Sequence, residues 1–275
     1  MIEFSVSLIE FVLATFIPLY LGMIFITYSQ MKFKLDVRYL SAFALGLLFW
    51  FFFDTMNDAV QLGVNEGYDF TTSATHSGLV GVFVSGFFVI AVLSTYFISR
   101  KTGEGRNSIL ELFITGIIAA VGMGFHGIGE GIEFGGLSAQ TQAVTVLDAI
   151  GGVSGGVAYV IHKFLEATIV AIVYLGISIG ENESFRSKLS KIAVLGLAFG
   201  VPSALGEVIG YFIQVDSAYF YALGVGAALS VALLVVFPLF RYSKDRRLSY
   251  SQWMWTMLAM FIGFLCLYGA ALFHS

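Results

Sequence analysis

SILELFITGIIAAVGMGFHGIGEGIEF, residues 108–134, is long and apolar enough to cross a bilayer, yet it carries His126, Glu130 and Glu133. At about 1.5 Å of rise per residue the run covers the roughly 30 Å hydrocarbon layer, so it reads as a transmembrane helix. On either side of it, comparable runs fall at 5–29, 38–62, 78–99, 145–180, 191–214, 218–240 and 250–273. Together they predict an all-α, polytopic membrane protein with eight transmembrane helices. Composition agrees: 275 residues that are 58% hydrophobic and 12% charged, with a mean hydropathy of +0.88, exclude a soluble globular domain. Loops this short leave one transmembrane domain over residues 1–275. The 31 glycines against 3 prolines fit closely packed membrane helices. Cys266, the single cysteine, excludes an intramolecular disulfide and a cysteine metal cluster. Before the first run there is no basic residue and no small-residue cleavage site, so that run is expected to stay as a helix.

Orientation follows from the basic residues. Of the 14 Lys and Arg residues only Lys163 lies inside a span; the others fill the first, third, fifth and seventh loops, with Arg241, Lys244, Arg246 and Arg247 crowded into the last. The alternate loops 63–77, 135–144 and 215–217 hold none. This is the positive-inside pattern, and it predicts that both termini are extracytoplasmic, as an even number of crossings also requires. The expected location is the cell membrane, as a multi-pass integral protein. Glu66, Asp69, His76 and Asp216 on the outward side read as solvated loop residues.

The residues that decide function are those a membrane disfavours: Asp54, Asn57, Asp58, His126, Glu130, Glu133, His162, Lys163, Glu166 and Glu207. An ionised side chain at a helix centre costs about 2.5–3.5 kcal/mol to insert, so each needs a partner, water or a task. Their spacing gathers them on faces. Asp54, Asn57, Asp58 and Gln61 run i, i+3, i+4, i+7; His126, Glu130 and Glu133 repeat that pattern; His162 and Glu166 form an i, i+4 pair. Counted from the cytosolic ends of their spans, Asp54, His126, His162, Glu166 and Glu207 fall within about 6 Å of one level. Neutral imidazoles combined with carboxylates suit a divalent transition metal such as zinc, iron or manganese. Asp58 and Glu133 lie nearer the outer end, where they read as either an access route or solvated residues.

The segment His126-Gly-Ile-Gly-Glu130-Gly131 resembles the His-Asn-x-Pro-Glu-Gly signature of the ZIP family of metal transporters, and His162-Lys-Phe-Leu-Glu166-Ala167 resembles that family's second copy. The likeness extends over the whole chain in span count and placement of the motifs. It implies that His126, Glu130, His162 and Glu166 are the primary metal ligands. It further implies that Glu207 joins a secondary metal position, that Asp54 or Asp58 supplies an additional ligand, and that the protein carries divalent metal into the cytosol by alternating access. The metal is then cargo rather than a resident cofactor, and the protein a transporter rather than an enzyme. The expected partners are the metal ion and the lipid bilayer, with a homodimer compatible and nucleic acid not expected.

The departures from that signature are informative. Gly129 and Leu165 replace both prolines, and Gly127, Gly129 and Gly131 are expected to let the fourth span bend. Gly127 and Lys163 replace polar ligands of the secondary metal position. Lys163, placed near Glu166 and at the expected level of Glu207, would put an ammonium where related proteins hold a second ion, which predicts a mononuclear site. A snorkelling lysine is the competing reading, but an interface roughly 20 Å away is out of reach. Two other functional classes compete. An intramembrane metal-dependent hydrolase would use Glu130 or Glu207 as general base, although no H-E-x-x-H pair occurs. A cation sensor or structural protein would use the charges only to fix packing.

Overall fold

The computed structural model describes residues 2–60, 79, 81–94, 108–140, 152–177, 184–213, 215–241 and 249–272. Among these residues the chain is all-helical: α1 (Phe4–Phe33), α2 (Val37–Val60), α3 (Gly81–Ser94), α4 (Ser108–Gln140), α5 (Gly152–Ile177), α6 (Phe185–Phe212), α7 (Ala218–Arg241) and α8 (Tyr250–Ala271). Helices are what lipid permits, because every backbone group must find its partner within the segment. Seven are long and apolar enough to cross a membrane, and α3, as described, is shorter. The remainder of the expected third span lies outside the described residues, as do Glu66, Asp69, His76, His274, Gln61 and the Asn57 side chain.

Helix ends at the basic side are capped by polar chemistry. Lys34 closes α1 in the left-handed conformation (φ 49°). Two residues later Asp36 accepts from the Arg38 amide and pairs with its guanidinium, each at 2.9 Å. Ser184 caps α6, and Ser249 with Gln252 forms a capping box on α8. At the opposite side Asp216 accepts from the Ala218 amide at 3.1 Å, which caps α7. Also at that side, the amide of Ile2 donates to the Ser138 carbonyl, and the Tyr211 hydroxyl donates to the Ile2 carbonyl at 2.7 Å. The N-terminal segment thereby ties the end of α4 to the end of α6.

The α4–α6 pair makes the most extensive contact among the described helices. Its seam is built of small residues: a Cβ added at Gly131 would meet the Ser203 carbonyl and the Glu207 amide, and one at Gly210 would meet the Ile132 carbonyl. Backbone lies on backbone, the packing that replaces hydrophobic collapse inside lipid. Helix α4 runs as one continuous helix through Gly127, Gly129 and Gly131, and these glycines allow close approach of Ser203, Tyr221 and Glu207. Proline occurs inside α1, α6 and α7, at Pro18, Pro202 and Pro238, and Pro202 packs against Gly124.

Around this pair, α5 packs on α1, and α2 lies between α7 and α8. Leu19, Met23, Leu47, Phe51, Met123, Ile169, Ile172, Tyr174, Leu195 and Phe199 belong to one buried apolar cluster. They lie at the His126 level or toward the basic helix ends, so apolar side chains dominate the interior of that half. α8 sits at the periphery, with most of its surface turned outward.

Candidate metal centre

Helices α4 and α5 each present a histidine and a glutamate one turn apart, and the bundle turns both pairs inward. In an α-helix residues i and i+4 share a face, so His126 with Glu130 and His162 with Glu166 arrive as preformed couples. One ligand atom from each of the four residues lies within 4.8 Å of the others. His126 Nε2 stands 3.3 Å from Glu130 Oε1 and 3.3 Å from Glu166 Oε1, while His162 Nε2 stands 3.2 Å from Glu166 Oε1. A tetrahedral ion with ligand bonds of about 2.0–2.1 Å requires its donors to be about 3.3 Å apart. Three of these imidazole-to-carboxylate separations therefore already match the edge of such a tetrahedron.

The donors are oriented as well as gathered. His126 is 3% exposed, and its Nε2 makes no hydrogen bond despite the two nearby carboxylate oxygens. On the other side of the ring Nδ1 lies 3.4 Å from Thr55 Oγ1. With the proton on Nδ1 and donated to Thr55, the Nε2 lone pair is left for an ion, the arrangement that outer partners impose on metal-binding histidines. Phe51 meets the imidazole edge-on at 4.6 Å, and the two imidazoles stack 6.3 Å apart at 20°. The residues present thus fit a divalent transition metal in donor type, spacing and orientation.

Lys163 completes the electrostatics. Its ammonium is wholly buried, pairs with Glu130 Oε2, and donates to Glu166 Oε2 at 2.6 Å. Each carboxylate therefore directs one oxygen to the imidazoles and the other to the ammonium. The Tyr159 and Phe199 rings lie 5.7 and 5.3 Å from Nζ, a weak attraction that also excludes water. Tyr159 is fixed by a 2.8 Å hydrogen bond with Thr15 of α1. Two carboxylates against one ammonium leave one negative charge when both imidazoles are neutral, and a cation or a proton completes the balance.

The other residues singled out in the sequence stand apart from this group. Glu207 is buried, but its Oε1 accepts from Ser7 Oγ at 2.8 Å and its Oε2 has no hydrogen-bond partner. Its backbone abuts Gly131 and Gly135, about 7 Å further along the bundle than the midpoint of His126 and Glu130. Lys163 accordingly pairs with Glu130 and Glu166, not with Glu207. Asp58 lies within electrostatic range of Asp54, Glu130, Glu133 and His126, on the side of the cage away from the apolar cluster. Glu133 accepts from Ser217 Oγ at 2.9 Å. Thr55 and Tyr221 touch the centre and carry no periodic signal in the sequence; the only hint of Thr55 is its place beside Asp54.

No protein-family profile matches the chain, and no curated protein matches it.

Proposed function

We propose that this protein moves divalent transition-metal ions, of the zinc, iron or manganese class, across the membrane into the cytosol by alternating access through the His126, Glu130, His162 and Glu166 cage. The observation that carries this reading is a His126 Nε2 that makes no hydrogen bond and stands 3.3 Å from one oxygen of each glutamate, with His162 Nε2 3.2 Å from the same Glu166 oxygen. The resemblance of both motifs to the ZIP signature supports it. So does the location, since an ion binding at mid-bundle is what a carrier needs and a surface buffer does not.

The bound ion is single. Lys163 holds the outer oxygens of both glutamates, so a second cation beside them would face an ammonium at contact distance. Asp58 and Glu133 serve as the access route. In this arrangement the ion is approached from the Asp58 side, while the apolar cluster around Met123 and Tyr174 closes the cytosolic half.

The deciding experiment is divalent-metal flux into proteoliposomes, with zinc, iron, manganese and cadmium compared. A His162→Ala, Glu166→Ala double variant is the control. Saturable flux that disappears in the control is the expected result. Metal binding by the parent without any flux overturns transport and favours the intramembrane hydrolase, in which the same ion would activate water, or the cation sensor.

A further inference from the structure

Gly129 stands where the resembled signature has proline, and here its α-carbon is covered by an aromatic ring. A Cβ at this position would lie 2.9 Å from two ring carbons of Tyr221, well inside the separation that non-bonded carbons prefer. Tyr221 is on the first turn of α7 and is 3% exposed. Its ring centroid lies 5.3 Å from the His126 imidazole. At the other end its hydroxyl lies in electrostatic reach of the Glu133 carboxylate, which accepts from Ser217 Oγ at 2.9 Å. Ser217 and Tyr221 are four residues apart, so both stand on the face of the α7 start that is turned to Glu133. Tyr221 shares a small apolar cluster with Ala59 of α2 and Ala222, and Val84 of α3 packs against it. The phenol thus extends along α4 from the Glu133 level to the His126 level, between the acidic residues and the cage.

We infer that Tyr221 is the gate on the Asp58 side of the metal path, latched by Glu133 and released when an arriving cation takes that carboxylate. This inference rests on the metal-transport reading. A cation at Glu133 competes with the Ser217 and Tyr221 hydroxyls for that carboxylate and is the stronger partner, because it carries full charge. Once unlatched, the ring swings off Gly129 and uncovers His126 and Glu130. Glycine at 129 is what allows the shut position, since the ring rests on bare backbone that a proline or any Cβ would displace. The cargo opens its own way in, and the ring closes behind it.

The test uses the full-length protein in detergent with Co2+ as the probe, whose visible absorption reports imidazole and carboxylate ligation, followed by stopped-flow mixing. A gate sets the barrier in both directions. In Tyr221→Ala the association and dissociation rates are expected to rise together by about tenfold, with equilibrium affinity held within about threefold. Tyr221→Phe keeps the ring and loses only the latch, so it should fall between parent and Tyr221→Ala; it also keeps the test decisive if the alanine variant misfolds. Unchanged rates in the variants, with Co2+ still bound, overturn the gate and leave the metal site standing. A faster dissociation rate alone, with weakened affinity, assigns Tyr221 to packing of His126 and also overturns the gate. A folded parent that takes up no Co2+ removes the metal reading and the gate with it.

Discussion

Lys163 and Thr55 illustrate how much of this site lies outside its four donors. A wholly buried ammonium persists because two carboxylates meet it, and removing one member of such a buried pair costs about 3–5 kcal/mol. In Lys163→Ala the two Oε2 atoms lose their counter-charge and are expected to recruit a second ion. Metal analysis of purified protein should then give one ion per chain in the parent and more than one in the variant; equal stoichiometry refutes the mononuclear assignment. Thr55 acts through His126. Thr55→Val keeps the volume and deletes the partner of Nδ1, so Co2+ affinity should drop roughly 10–100-fold, while Asp54→Asn, whose carboxylate is not among the four donors, should change it far less. A titration of both variants decides the point.

Between helices, the α4–α6 seam is the most extensive packing among the described helices and seats α4, which carries two of the four donors. Gly131→Leu inserts a side chain against the Ser203 carbonyl and the Glu207 amide, and should destabilise the fold by about 1–3 kcal/mol or more. Gly136→Ala, on the same helix, is the matched control, because its Cβ would meet only the Gly210 carbonyl at an ordinary 3.8 Å. Thermal unfolding in detergent separates the two, and equal midpoints would show that the seam does not govern stability. The helices and the two His/Glu couples are legible in the sequence, because length, hydropathy and i, i+4 spacing are local properties. Helix register is not. Depth counted from Lys191 puts Glu207 level with His126, but α6 begins at Phe185 and Lys188 is buried, so the whole helix is seated further along. Nor does the sequence reveal why α4 holds so many glycines. Their purpose is visible only against Ser203, Glu207 and Tyr221, which are distant in the chain.

The two halves of the bundle differ in kind. Toward the basic helix ends the interior is hydrocarbon, from Met123 to Tyr174 and Leu195. Toward the other end lie Asp58 and Glu133. An ion approaching from the acidic side meets attraction first and ligands second, so Asp58→Asn should lower flux several-fold at dilute metal and leave the saturated rate nearly unchanged. Flux measured over a range of metal concentrations tests this, and a fall confined to saturating metal would place Asp58 in a later step. Cys266, meanwhile, is exposed on α8 and is the only cysteine in the chain. Thiol chemistry on the native sequence therefore yields one product at one outward-facing position. A spin label there turns each chain into a single marked point, and the distance between two such points, or the absence of any, reads out whether copies associate side by side without a single residue being changed.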